Sequence, residues 1–327
     1  AAWRKALDVI RRETRRGERS LDQQRLRGSV ELLERIDPEE LLVEDDRLRL
    51  ILTCCHSALA ADARVALTLR HVAGMSTREI ASAFLVGEAT MAKRLVRARR
   101  KIIDAGITFE LPDAQALPSR LAEVHAVVYL IFSEGYHSGG EGDPIRVELC
   151  DEATWLARQL HALVPDDSET TGLLALLLLQ HARSAARRDA EGRLVRFDEQ
   201  DRSAWDEDAI AEAKALLGDT GRTPPGPYQL QAAIALLHAS AVDAASVDWS
   251  AIADLYAVLV RQAPGPVIEM NRAVAVGRAD GPLAGLRLLQ PVLADGSLDQ
   301  HAPLHAAHAD LLARADIALY EAKDLGR

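Results

Sequence analysis

Thr90, Lys93, Arg94, Arg97 and Arg100 or Lys101 have the types and spacing to grip a polyanion. Steps of three and four residues place them on one face of a helix. Met91, Leu95, Ala98 and Ile102 recur at i, i+4, i+7 and i+11 on the opposite face, which predicts a buried stripe. A helix that enters the major groove of a duplex needs this division, with cations and hydroxyls turned outward and an apolar side turned to its own domain. An ordinary arginine-rich surface helix would share it, so the preceding residues decide. Ser76, with Glu79 three positions on, forms a capping-box pattern that opens a short helix from Thr77 to Phe84. Leu85, Val86 and Gly87 then make a tight turn, and a second helix runs from Glu88 to about Asp104. This is the spacing of a helix-turn-helix. Between Arg64 and Asp104 there are 9 basic residues against 3 acidic ones.

Other chemistry lacks its geometry. His125, His137, His161 and His181, with Glu134, Glu148 and Cys150, are metal-ligand types, but no HxxxH or HExxH spacing joins them. Ser133-Glu134-Gly135 is not a nucleophile elbow, and no glycine-rich loop with a lysine follows a strand. Asp198, Asp201 and Asp206, with Trp205, read as caps of a loop and a helix. The expectation is therefore of no catalytic residue, no metal, no cofactor and no enzyme.

Cys54, Cys55 and Cys150 make neither a CxxC pair nor an even set, which disfavours a disulfide scaffold and points to a reducing cytoplasm. The longest apolar run, Gly172 to Leu179, is too short for the roughly 18 residues a bilayer span needs, so no membrane partner is expected. Only 4% of the 327 residues are aromatic while 48% are hydrophobic, with many Ala, Leu, Arg and Glu, and the expected fold class is all-α. Charge is split. Residues 1–104 hold 21 Lys and Arg against 16 Asp and Glu, a net of +5, whereas residues 105–327 hold 18 against 33, a net of −15. That asymmetry suggests that only the first part meets a polyanion.

Along the chain, Ala2 to Arg19 reads as a basic helix without an N-cap, as if entered from within a longer element, and residues 21–45 as a linker. Leu48, Ile51, Leu52, Cys55 and Leu59, then Val65, Leu67, Leu69 and Val72, form apolar stripes that build a four-helix unit over residues 46–107. Beyond Pro118, periodicity predicts helices near 118–135, 146–163, 168–186, 206–217, 227–241, 249–262, 266–278, 282–294, 302–313 and 315–324. Leu194 to Phe197 is a short strand or an extended loop, and the Pro224–Pro227 cluster is a candidate subdomain boundary. A lag of 34 residues aligns Ala239, Ala273 and Ala307, as well as Ala241, Ala275 and Ala309, which is the small-residue period of tetratricopeptide (TPR) arrays.

With these residues in view, Asp46 to Ile107 resembles region 4 of an extracytoplasmic-function (group 4) RNA polymerase sigma factor. RLRLILTCCHSAL is similar to its first helix and ATMAKRLVRA, Ala89 to Ala98, to its recognition helix. Ala2 to Arg16 is similar to the last helix of region 2, most of which is absent from these residues. IFSEGYHSG, EQDRSAWD and NRAVAVGRADGP fit the extension, with TPR-like repeats, of one sigma subgroup. The resemblance implies five segments: the end of region 2 (1–20), a linker (21–45), region 4 (46–107), a helical extension (118–222) and TPR-like repeats (227–327). It implies promoter DNA and RNA polymerase core as partners, with a further protein on the extension. By the same resemblance Ala92, Lys93, Val96 and Arg97 meet bases of the minus-35 element, Arg94 and Arg100 lie near phosphates, and Thr77 and Arg78 touch the backbone. The rival readings are a TPR-scaffold transcription regulator whose helix-turn-helix does not serve a sigma factor, and an enzyme using residues 118–206.

Leu95 is at the centre of the inward stripe, so Leu95→Ala is expected to cost about 2–5 kcal/mol, read as a lowered urea midpoint. An unchanged midpoint would mean that the helix is rotated from this assignment.

Overall fold

Helical periodicity in the sequence becomes an all-α fold in the computed structural model, which describes residues 44–84, 86–136, 147–193, 195–218, 224–299 and 301–324. The basic helix expected over Ala2 to Arg19 and the linker over 21–45 lie outside them, except for the linker's last two residues. Leu85 of the expected turn, His137 and Leu194 lie outside them as well. Among the described residues there are thirteen α-helices and no strand. The chain divides into two compact units, residues 1–165 and 166–327. The division falls inside the expected 118–222 segment and not at the Pro224–Pro227 cluster.

In the first unit α1 (Glu44–Cys54), α2 (Ala61–His71), α3 (Thr77–Ala83) and α4 (Glu88–Asp104) form a small bundle. Both expected stripes are buried, and Leu50, Leu67, Leu69, Ile80, Met91 and Ile102 are fully enclosed. The bundle does not stand alone. Helices α5 (Leu117–Tyr136) and α6 (Val147–Leu163) pack along each other and against α1, and α5 also meets α2. Two arginines tie the parts: Arg47 donates to Gln159 Oε1 at 2.6 Å, and Arg120 donates to the Leu52 carbonyl at 2.7 Å while pairing with Glu123. The cysteines are packing groups. All three are buried thiols, and burial pushes that of Cys55 up to about 11. Such a thiol carries little thiolate at neutral pH.

The second unit contains α7 (Ser168–His181), α8 (Glu207–Gly218), α9 (Pro227–Ser240), α10 (Trp249–Gln262), α11 (Pro266–Ala279), α12 (Pro282–Asp295) and α13 (Ala302–Asp324). Consecutive helices from α9 to α13 pack on one another, and α7 packs on both α8 and α9. Helices α9, α11 and α12 each begin Gly-Pro, with proline at the first helical position, where its missing N–H costs nothing. The remaining caps include carboxylates: Asp167 on α7, Asp206 on α8 and Asp248 on α10. Asp201 caps a 3-10 turn, and Asp198 pairs with Arg196. Ahead of the 3-10 turn Phe197–Glu199, Arg196 takes extended backbone.

One expected break is missing. The helices near 302–313 and 315–324 are a single continuous α13. Ala313 to Asp316 contains no Gly or Pro. Arg314 pairs one turn back with Asp310 at 2.9 Å, and Leu311 and Ala315 stay buried through the supposed turn.

Small residues set how closely these helices approach. A Cβ added to Gly285 of α12 would lie 2.6 Å from the Ala273 carbonyl oxygen and 2.8 Å from Gly277 Cα of α11; one on Gly172 of α7 would lie 2.6 Å from the Gln229 backbone nitrogen of α9. Backbone cannot yield as a flexible side chain can. Gly285→Ala and Gly172→Ala are therefore expected to destabilise by about 1–3 kcal/mol despite alanine's higher helix propensity. Gly218→Ala, with nothing within 4 Å, is expected to be neutral or to gain up to about 1 kcal/mol. Thermal melts of the three variants give the signs.

Candidate nucleic-acid interface

The two helices of the helix-turn-helix owe their angle to the residues between them. Ser76 caps α3 in a complete box: its Oγ accepts from Glu79 N at 3.2 Å, and Glu79 Oε2 accepts from Ser76 N at 2.7 Å. Gly74, at φ +75°, takes the left-handed conformation that lets the chain leave α2 for this cap. Arg70 donates to the Met75 carbonyl at 2.9 Å and fixes the same turn. After α3, Val86 N donates to the Ala81 carbonyl at 2.9 Å, and Gly87 starts α4 in extended backbone.

Helix α4 presents the two faces its sequence requires. Met91, Leu95, Ala98 and Ile102 are buried, and α4 packs against α2 and α3. On the other side Thr90, Ala92, Lys93, Val96, Arg97 and Arg100 are exposed, with Val96 at 63%. A valine so exposed in the middle of a helix is not spent on the core. At the start of α3, Arg78 is exposed and Thr77 half-buried.

The cations differ in a way the sequence did not show. Arg94 is half-buried and pairs with Asp62 of α2 at 3.5 Å, and Arg100 donates to Asp104 at 3.1 Å. Lys93 and Arg97 hold no ion pair with any described residue. Two charges are thus partly neutralised by the protein itself and two are free for another anion. The Asp62–Arg94 pair joins positions 32 apart, and nothing in the α4 pattern signals it. Arg100–Asp104 could have been read from its i,i+4 spacing.

Beneath this face His71, near the end of α2, is buried and lowered to about 4, first by burial and then by the charges of Arg99 and Arg70. Its Nε2 finds no hydrogen-bond partner among the described residues. A neutral imidazole thus fills a position under a helix crowded with guanidinium groups.

This geometry is that of a helix-turn-helix, and residues 49–102 match Sigma-70, region 4. Residues 120–220 match a family of unknown function, DUF6596, spanning the boundary between the two units. The chain is 43% identical over 304 residues to the uncharacterized protein R00370 of Rhizobium meliloti (strain 1021), covering 89% of this chain and 71% of that protein. It belongs to the same family as that protein. No solved structure matches the chain. No helix among the described residues is long and apolar enough to cross a membrane.

A histidine lowered in the fold stays neutral there while the unfolded chain takes up a proton below its ordinary value of 6.5. Stability from this group is undiminished above pH 6.5 and is lost as pH falls toward about 4. Between pH 7 and pH 4.5, His71→Leu is expected to lose less stability than the parent, by on the order of 2–3 kcal/mol. Urea unfolding at the two pH values measures it, and equal losses would mean that His71 is already charged in the fold.

Proposed function

We propose that this chain is a sigma factor of the extracytoplasmic-function (group 4) class with a C-terminal TPR-like extension, directing bacterial RNA polymerase core to promoters from the cytoplasm. In this reading residues 1–20 end region 2, 21–45 form a linker, 46–107 are region 4, and 118–222 with 227–327 form an extension that regulates the protein or binds a partner. The mechanism is binding and not catalysis. The single observation that carries it is the outer face of α4, where Lys93 and Arg97 are exposed without an internal counter-charge among the described residues and Val96 lies exposed between them.

Each exposed group has a role that its chemistry suits. Lys93 and Arg97 donate to base edges of the minus-35 element, Arg97 in the bidentate manner that guanine O6 and N7 accept. Ala92 and Val96 offer methyl contacts to thymine. Thr90, and Thr77 with Arg78 at the start of α3, hold the phosphate backbone and set the register. Arg94 and Arg100 reach phosphate by exchanging Asp62 and Asp104 for it, an exchange that is inexpensive because pairs open to solvent on at least one side contribute little. The consecutive helix pairs from α9 to α13 and the 34-residue alanine period support the TPR-like part.

Arg97→Ala is expected to weaken binding to a cognate minus-35 duplex by about 1–3 kcal/mol and to relax base preference, while Arg100→Ala weakens cognate and scrambled duplexes alike. Binding isotherms on both duplexes at one salt concentration decide it. Equal losses for Arg97→Ala on the two duplexes would remove the base-reading role, and failure of the chain, supplied with a complete region 2, to retain polymerase core would remove the sigma assignment.

A further inference from the structure

The connection between α7 and α8 does more than span a gap. Within the second unit, Phe197 stands edge-on to His238 of α9 with ring centroids 5.0 Å apart, and His238 stands edge-on to Trp249 of α10 at 5.1 Å. Arg278 of α11 lies over Trp249 at 5.4 Å and pairs with Asp310 of α13 at 3.4 Å. Asp310 in turn faces Arg196 at 3.9 Å. The row that runs His238, Trp249, Arg278, Asp310 takes one side chain from each of four helices, and its two ends are held by neighbours in sequence, Phe197 and Arg196.

The rest of the segment fastens to the same edge. Arg202 lies over Trp205 at 4.6 Å and donates to the carbonyls of His238 and Ala241, at 3.0 and 2.8 Å, where α9 ends. Arg183 covers the Phe197 ring at 4.8 Å. Main-chain carbonyls at a helix end, an aromatic row and a carboxylate are the elements with which a protein holds an extended peptide. Here the peptide belongs to the chain itself.

The fit is incomplete. On the row itself, His238 Nδ1 and Arg278 Nε are buried without a hydrogen-bond partner among the described residues. Buried polar atoms left open call for an explanation, and an added partner that brings acceptors is one that fits this row.

We propose that the row His238–Trp249–Arg278–Asp310 is a peptide-binding site occupied in cis by residues 196–205, and that its partner is a protein presenting an extended segment with an arginine-aromatic pair beside hydrogen-bond acceptors. The arginine takes Asp310, the aromatic ring stacks at His238, and the acceptors meet the open donors. Binding of that partner displaces residues 196–205, which makes the site a switch. The inference concerns the second unit alone and does not rest on promoter recognition.

The test uses the full chain and a fluorescently labelled synthetic peptide with the sequence of residues 195–206. The double variant Phe197→Ala/Arg202→Ala releases the resident segment, with helical content followed by circular dichroism. Fluorescence anisotropy is expected to show the peptide binding the variant at least tenfold more tightly than the parent, and a peptide carrying Phe197→Ala not binding. In the parent, hydrogen exchange of amides 195–206 is expected to run at least tenfold faster than that of α9 and α10. A folded variant that takes up no peptide, or parent exchange of 195–206 in step with α9 and α10, overturns the proposal. Should the variant lose its helical signal, the parent exchange rates decide.

Discussion

Burial of one stripe of α4 governs how the first unit can be read. Met91, Leu95, Ala98 and Ile102 sit against α2 and α3, and a helix so held has no freedom to choose which residues it shows outside. The hydrophobic effect is indifferent to direction, but a stripe at i, i+4, i+7 and i+11 is not. Fixing it inside puts Lys93, Val96 and Arg97 outside. The capping box at Ser76 and the left-handed Gly74 then set where α3 lies. Specific contact to an outside partner thus rests on unspecific contact within.

The second unit follows a different rule. Beside a core of large apolar side chains such as Leu259, Leu289 and Leu311, its closest approaches come from what is absent at Gly172, Gly277 and Gly285. Where backbones approach this nearly, polar groups at helix ends have little room for water, so partners must come from elsewhere in the protein. Glu169 supplies one case. It reaches from α7 to the start of α9 and accepts from Tyr228 N at 3.0 Å and Gln229 N at 3.1 Å. Burial raises its pKa, and the two amides pull it back.

Much of this was legible in the residues. Helix positions from α2 onward follow the spacing of Leu, Val and Ile and the Gly-Pro starts closely, because those signals are local. The outward face of α4 was legible for the same reason. Asp62 beside Arg94, Glu169 on α9, the Gly277–Gly285 crossing and the ring from Phe197 to Asp310 were not. Each joins residues that only the tertiary fold brings together, and none has a period. The continuous α13 was missed for the opposite reason: a repeat was expected to turn at Ala313, whereas the local residues, with an i,i+4 ion pair, favour carrying on. The Pro224–Pro227 cluster interrupts the helices but not the packing, since α7 and α8, which precede it, both pack on α9, which follows it.

Glu169 has a consequence for how this architecture can be inherited. Helix α9 starts with Gly226 and Pro227, neither of which has a side chain able to cap it, and the carboxylate that does so arrives from 59 and 60 residues earlier. The glycine suits that arrival, because a Cβ on Gly226 would push the Glu169 carboxyl group from its place. Donor and recipient are thus matched parts of one joint. A gene segment cut at the prolines would carry α9 to α13 without the means to close their first end, whereas a segment opening at Asp166 would carry the joint whole. The proline cluster is therefore a seam within α7 to α13 and not an end of it.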